Sequence, residues 1–228
     1  MMRILFQGDS ITDGGRLKDP EKRWDLNHQT GHCYVYPIVS YLNRKNPGKY
    51  QFINRGVSGE SVDNLAVRWQ RDTLDEHPDI LSILVGINEN GKRDGFYPEG
   101  LEAHLRQFDA TYRSLLDAAL AQNDQLKLII MEPFFLPAEE KVKDHIRFIE
   151  AFAQKQQIVQ RIAADYNAIF IPLQKELETL AEQNKTALLE NNCPIDPREY
   201  WVWDGIHPTE ACHGHIADLW LAAAKEFL

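Results

Sequence analysis

The chain has 228 residues, 43% of them hydrophobic and 26% charged, a globular balance able to bury a core. Its net charge of −9 argues against non-specific binding to nucleic acid or to an anionic membrane surface. No segment approaches the ~20 apolar residues of a membrane span, the run before Gly8 is too short for a signal peptide, and Cys33, Cys193 and Cys212 suggest no disulfide framework, so a cytoplasmic, reducing setting is expected.

The first apolar run, Ile4 to Phe6, reads as a buried strand that breaks into Gly8-Asp9-Ser10. Val35, Ile38, Val39 and Leu42 come next at i, i+3, i+4 and i+7, a helical stripe. Phe52-Ile53 reads as the second strand, and Val62, Leu65 and Trp69 as a second stripe. Ile80 to Val85 gives strand three, Leu101 to Ala119 a five-turn helix, and Leu128 to Met131 strand four. Ile146 to Ile162 is helical with a less regular pattern, and Ile169 to Ile171 is the fifth strand. Glu182 to Trp203, with Asn191-Asn192-Cys193-Pro194, Pro197 and Tyr200 to Trp203, is expected to be a long ordered loop. Pro208-Thr209-Glu210 signals the start of a last helix, which carries Ile216, Leu219, Trp220 and Ala223.

Strands alternating with helices imply a parallel sheet covered on both faces, and right-handed crossovers favour a doubly wound α/β/α sandwich. No linker or repeat divides residues 1–228, so one domain is expected. In such sheets ligands bind beyond the carboxyl ends of the strands. The residues at those ends are therefore informative: Gly8-Asp9-Ser10, then Asn54 to Ser61, then Gly86-Ile87-Asn88-Glu89, and finally Asp204-Gly205-Ile206-His207-Pro208.

These ends supply the parts that acyl transfer needs. A serine hydroxyl is a weak nucleophile at neutral pH and requires a base, and His207 is a candidate. That imidazole requires a partner to fix its tautomer, and Asp204 lies three residues earlier. A developing oxyanion requires aimed donors, which the backbone N–H of Ser10 and of Gly59 and the side-chain amide of Asn88 can offer.

Four ordered blocks, "FQGDSITDGGR", "NRGVSGESVDNL", "LVGINEN" and "VWDGIHPTEACHGH", resemble those of the SGNH hydrolases within the GDSL esterase/lipase superfamily, and they span Phe6 to His215. The resemblance implies a flavodoxin-like α/β/α fold with a five-stranded parallel sheet in order 2-1-3-4-5. It implies Ser10 as nucleophile, Asp204 and His207 as its partners, and an oxyanion hole of Ser10, Gly59 and Asn88, with no cofactor. One departure is visible: the third block usually reads Gly-x-Asn-Asp, and here Glu89 stands in the last place. Within the superfamily, "GDSITDGGR", the stretch Gly56 to Trp69 and "WDGIHP" are most similar to intracellular acetyl xylan esterases. The substrate expected is thus a small ester, such as an acetylated oligosaccharide, with no nucleic-acid or membrane partner and with homo-oligomers open. A short-chain lipid esterase or thioesterase of the same fold, and a non-catalytic flavodoxin-like binding module, are the alternatives.

Several residues carry a second reading. Ser10 and the glycines around it could cradle phosphate, although the lysine of a P-loop and any G-x-G-x-x-G are missing. His207, Cys212, His213 and His215 match no common zinc spacing, so His213 and His215 are expected on a partly exposed helix face and no metal is expected. Trp203, Trp201 and Trp24 are candidates for an aromatic wall of the substrate pocket, with core packing as the other reading; Trp69 fits a core stripe. Asp9 is either a substrate-pocket residue or a brace for its loop.

Overall fold

A computed structural model describes residues 1–19, 29–89 and 97–228. Five strands, β1 (Met2–Gly8), β2 (Tyr50–Asn54), β3 (Ile80–Leu84), β4 (Lys127–Met131) and β5 (Ile169–Ile171), form one parallel sheet in the order β2-β1-β3-β4-β5. The order reverses at β1, so the loops after β1, β2 and β3 gather at one end of the sheet.

The strands are short, apolar on both faces, and split by parity. Ile4, Phe6, Ile80, Leu84, Ile129 and Met131 join one core; Leu5, Leu81, Ile83, Leu128 and Ile130 join the other. This is the period-two consequence of a pleated strand buried on both sides. The first core is covered by α2 (Val35–Lys45) and α8 (Glu210–Ala223), and the second by α3 (Val62–Trp69) and α4 (Leu101–Gln122). Helix α5 (Ile146–Asp165) sends Phe148 and Phe152 into the first core and Ile158, Val159 and Ile162 into the second. Ser82, polar inside β3, is explained by Trp220, whose Nε1 donates to the Ser82 Oγ at 3.0 Å.

The segment Glu182 to Trp203 is not a single loop. Helix α6 (Gln174–Glu190) runs through its first part, and Pro197–Trp201 forms the short helix α7. Only Leu177 and Ala181 of α6 are buried, so no apolar stripe marks its second half. What holds the helix there is propensity, with Ala, Leu, Glu, Gln and Lys throughout. Asp196 accepts from the N–H groups of Arg198 and Glu199, and Pro197 takes the first helical position, the capping signature of a helix start.

Candidate active site

Ser10 opens α1 (Ser10–Asp13), a single turn directly beyond β1. Gly8, the last residue of the strand, has no room for a side chain: a Cβ there would lie 2.3 Å from the Leu84 carbonyl oxygen and 2.5 Å from the Thr12 Oγ1. Asp9 caps the turn, its Oδ1 accepting the Ile11 N–H at 3.0 Å. It is 1% exposed, which removes it from any pocket wall and makes it the brace of the loop. Burial pushes its carboxyl up to about 7, with the Glu89 charge adding to the rise and backbone hydrogen bonds opposing it.

The last block folds as a tight turn between α7 and α8. Val202 bridges Pro208, the Trp203 N–H donates to the His207 carbonyl at 3.1 Å, and the Leu136 N–H beyond β4 donates to the Gly205 carbonyl at 2.8 Å. Within the turn, Asp204 Oδ1 accepts the N–H of Ile206 at 2.9 Å and of His207 at 2.7 Å. Its other oxygen, Oδ2, lies 2.8 Å from His207 Nδ1. Burial alone would raise the Asp204 pKa, but these hydrogen bonds and the imidazole outweigh it and hold the carboxyl below its ordinary value. An ionised Asp204 accepts at Nδ1, which assigns the ring proton to that nitrogen and leaves the Nε2 lone pair free. Nε2 faces the Ser10 Oγ at 2.9 Å. Residues separated by 197 positions thus form one hydrogen-bonded chain from hydroxyl to imidazole to carboxylate.

The loop after β2 brings Gly59 to the same end. Its φ of +81° suits glycine, and no heavy atom lies within 4 Å of the place a Cβ would take. Among the described residues, none accepts a hydrogen bond from the N–H of Ser10 or of Gly59. The loop is fastened to the first turn from several sides. Asp13 Oδ2 accepts the Ser58 N–H at 3.0 Å and its Oγ–H at 2.8 Å, Asn54 Nδ2 donates to the Thr12 carbonyl at 2.6 Å, and Arg16 Nε donates to the Gly56 carbonyl at 3.1 Å. Buried Arg68 on α3 donates to the Arg55 carbonyl at 2.8 Å and pairs with Glu60 and Asp72. Beyond β3, Asn88 Nδ2 donates to the Glu60 carbonyl at 3.3 Å, a long bond that occupies one of its two hydrogens.

The tryptophans divide. Trp203 is 59% exposed and stacks on the His207 ring, with centroids 5.8 Å apart and planes 22° apart. Trp201 is buried against Tyr200 and His215 and belongs to the core, as does Trp69. Trp24 lies outside the described residues. The histidines of α8 have separate partners: His213 Nδ1 accepts the Tyr34 N–H at 3.1 Å, and His215 Nε2 lies 3.0 Å from Glu176. Burial pushes His213 down to about 4.

The sequence patterns do not single out Asp13, Asn54, Arg68 or Lys155. Lys155 does leave a trace: it occupies the buried stripe of α5 formed by Phe148, Ala151, Phe152, Ile158, Val159 and Ile162, where an apolar residue would be expected.

A parallel doubly wound sheet with a serine, a histidine and an aspartate joined at its carboxyl end defines the class, and the comparisons agree. The model of the GDSL-like Lipase/Acylhydrolase family matches residues 6–214, and the chain belongs to that family. The acetylxylan esterase of Geobacillus stearothermophilus is 30% identical over 222 residues, covering 96% of this chain and 92% of that protein. A protein of Parabacteroides merdae assigned as a GDSL-like lipase superimposes with a TM-score of 0.78 at 28% identity, covering 98% of this chain and 95% of its own. The acetylxylan esterase Axe2 of Geobacillus stearothermophilus superimposes at 0.71 with 27% identity, covering 97% of this chain and 93% of its own. Structures of Axe2 include catalytic mutants in which a serine, an aspartate or a histidine is replaced by alanine, the latter two three positions apart, and a mutant of the tryptophan immediately before that aspartate. The chain is a carboxylic ester hydrolase with the flavodoxin-like α/β/α architecture of this family.

Proposed function

We propose that the chain removes acetyl groups from small carbohydrate esters through a Ser10–His207–Asp204 triad. The observation that carries this is the continuous chain of short contacts, Ser10 Oγ to His207 Nε2 at 2.9 Å and His207 Nδ1 to Asp204 Oδ2 at 2.8 Å. The Asp-x-x-His spacing of the catalytic Axe2 mutants supports the same assignment.

The geometry sets the chemistry. His207 Nε2 takes the hydroxyl proton as Ser10 Oγ attacks the ester carbonyl carbon, and Asp204 stabilises the imidazolium that forms. The negative charge moves to the carbonyl oxygen, which the N–H groups of Ser10 and Gly59 and the amide of Asn88 receive. As the intermediate collapses and the bond from the carbonyl carbon to the sugar oxygen breaks, the imidazolium protonates that departing oxygen, releasing the sugar hydroxyl and leaving an acetyl-Ser10. Water attacks this ester with His207 again as base, acetate leaves, and the serine hydroxyl is restored.

Two observations support a sugar as the alcohol. Trp203 offers an exposed aromatic face stacked beside His207, the kind of surface on which a pyranose ring rests. The Axe2 tryptophan chosen for mutation likewise stands directly before its aspartate, and that relative is an acetyl-xylooligosaccharide esterase. Turnover of acetylated xylobiose should be compared with that of a C8 aryl ester, with Ser10→Ala as control. The expected result is a higher kcat/KM on the acetylated sugar, raised KM for it in Trp203→Ala, and loss of both activities by about four orders of magnitude in Ser10→Ala. Faster turnover of the C8 ester would overturn the carbohydrate assignment, and near-normal turnover in folded Ser10→Ala would overturn the triad.

A further inference from the structure

Beneath Asn88 lie two charges that the triad does not use. Glu89 is 4% exposed, and its Oε1 accepts the Val62 N–H at 2.8 Å, at the first turn of α3. Val62 is three residues past Gly59, and the Asn88 amide reaches the Glu60 carbonyl between them. One carboxylate therefore ties the loop that carries Asn88 to the segment that carries Gly59.

Lys155 enters the same region from α5. It is fully buried, its Nζ hydrogen-bonds to no described residue, and it stands 5.7 Å from the centre of the Tyr97 ring. A lysine in that position on an apolar helix stripe incurs a large desolvation cost unless a negative charge offsets it. Glu89 is the charge that acts on it. Burial pushes the Glu89 carboxyl up and the Lys155 ammonium down, and each one's charge pulls the other back toward its ionised form.

We infer that Glu89, bonded to the Val62 N–H and acted on through space by the buried Lys155 ammonium, fixes Asn88 relative to Gly59, which makes both of them positioning residues for the oxyanion site. The inference rests on the reading of Asn88 and Gly59 as oxyanion donors. An ionised carboxylate is the stronger acceptor for the Val62 N–H, and the Lys155 charge favours that form against the burial that opposes it. The remaining groups around the pair come from every neighbouring element. Asp63 on α3 opposes ionisation of Glu89, while Asp9 on the β1–α1 turn, Tyr97 before α4 and Tyr112 on α4 feel the Glu89 charge. His104 on α4 is pushed down to about 4 by burial and then by Lys155, so it adds no positive charge near neutral pH.

The test measures kcat and KM on an aryl acetate from pH 6 to 9 for Glu89→Ala, Lys155→Met, the double variant Glu89→Gln/Lys155→Met and Asn88→Ala, each with thermal unfolding. Glu89→Ala should lower kcat about 10- to 100-fold with KM within about twofold, the signature of displaced transition-state donors. Lys155→Met should lower kcat about tenfold at pH 7, and the deficit should narrow as pH rises and Glu89 ionises without its cation. In the double variant that narrowing should vanish, because the amide does not titrate. A purely structural role would give a deficit that is flat with pH and tracks the folded fraction, and that result overturns the inference. So does wild-type kcat in folded Lys155→Met, which decides the matter even where Glu89→Ala does not fold. A loss of about 10²–10³ in Asn88→Ala with no change in the other variants leaves the oxyanion reading standing and removes only the pair. Full activity in Asn88→Ala removes the oxyanion reading itself.

Discussion

The two sides of the site are built on opposite terms. On the triad side, the Asp204, His207 and Ser10 side chains are joined in one chain of hydrogen bonds, and the turn around them is closed by backbone contacts within a few residues. On the Asn88 side, Lys155 Nζ, Tyr97 OH, His104 Nε2 and Tyr112 OH are all buried with no hydrogen-bond partner among the described residues, and the charges act through space. The first region is held by short-range geometry, in which each group is hydrogen-bonded directly to its neighbours. The second is held by the mutual dependence of charges in a poorly solvated interior, where changing one group alters the state of the others. Damage should accordingly appear in different places: on the triad side in the chemical step alone, on the Asn88 side in the pH dependence as well.

The largest effect expected belongs to the triad side. His207→Ala removes the base and should lower kcat on an aryl acetate by about 10⁴-fold, with the unfolding temperature nearly unchanged because the imidazole is only half buried. Steady-state kinetics beside a melting curve checks this, and a comparable loss of fold would break the contrast between the two regions.

A smaller effect should come from Asp9, which lies under Ser10 yet feels the Glu89 charge. Its carboxyl titrates near 4 in the unfolded chain and at about 7 in the fold, so between those values the folded state holds the extra proton. Stability contributed by this group is therefore present at low pH and falls as pH rises from about 4 to about 7, with no further change above. Asp9→Asn keeps the Oδ1 acceptor for the Ile11 N–H and removes the titration. The variant should gain unfolding temperature over wild type at pH 8 but little at pH 4.5, at about 2–4 °C for each kcal/mol. Taking the difference between the two proteins cancels the other titrating groups. Equal shifts at both pH values would show that folding does not raise the Asp9 pKa.

The same contrast explains what is legible in the sequence. Five strands, the helices that carry regular apolar stripes, and the turn carrying Asp204 and His207 all leave local patterns, because period and short spacing are what a one-dimensional string records, whereas the strand order comes from the family resemblance. Ser10, Gly59 and Asn88 become visible because each lies just beyond a strand and strand ends converge. Helix α6 is hidden because its second half is solvated and propensity, not periodicity, holds it. The choice between wall and core for Trp201 and Trp203 is not legible either, since residues two apart on a helix end and a turn can face opposite ways; one is buried and the other stacks on His207. The fastening of the loops by Asp13, Asn54 and Arg68 joins residues separated by some 13 to 45 positions and is visible only in three dimensions. Lys155 is the intermediate case: a charged residue on a buried stripe is a readable anomaly, although its partner, 66 residues earlier, is not.

The mechanism stands or falls on Ser10 being an activated nucleophile, and covalent trapping tests this most directly. Wild-type protein should be treated with a fluorophosphonate at neutral pH and the modified peptide identified by mass spectrometry. One adduct is expected, on Ser10, whose formation slows strongly in His207→Ala and disappears in Ser10→Ala. Failure of the folded wild-type protein to label, or labelling at another residue with Ser10 untouched, would contradict it.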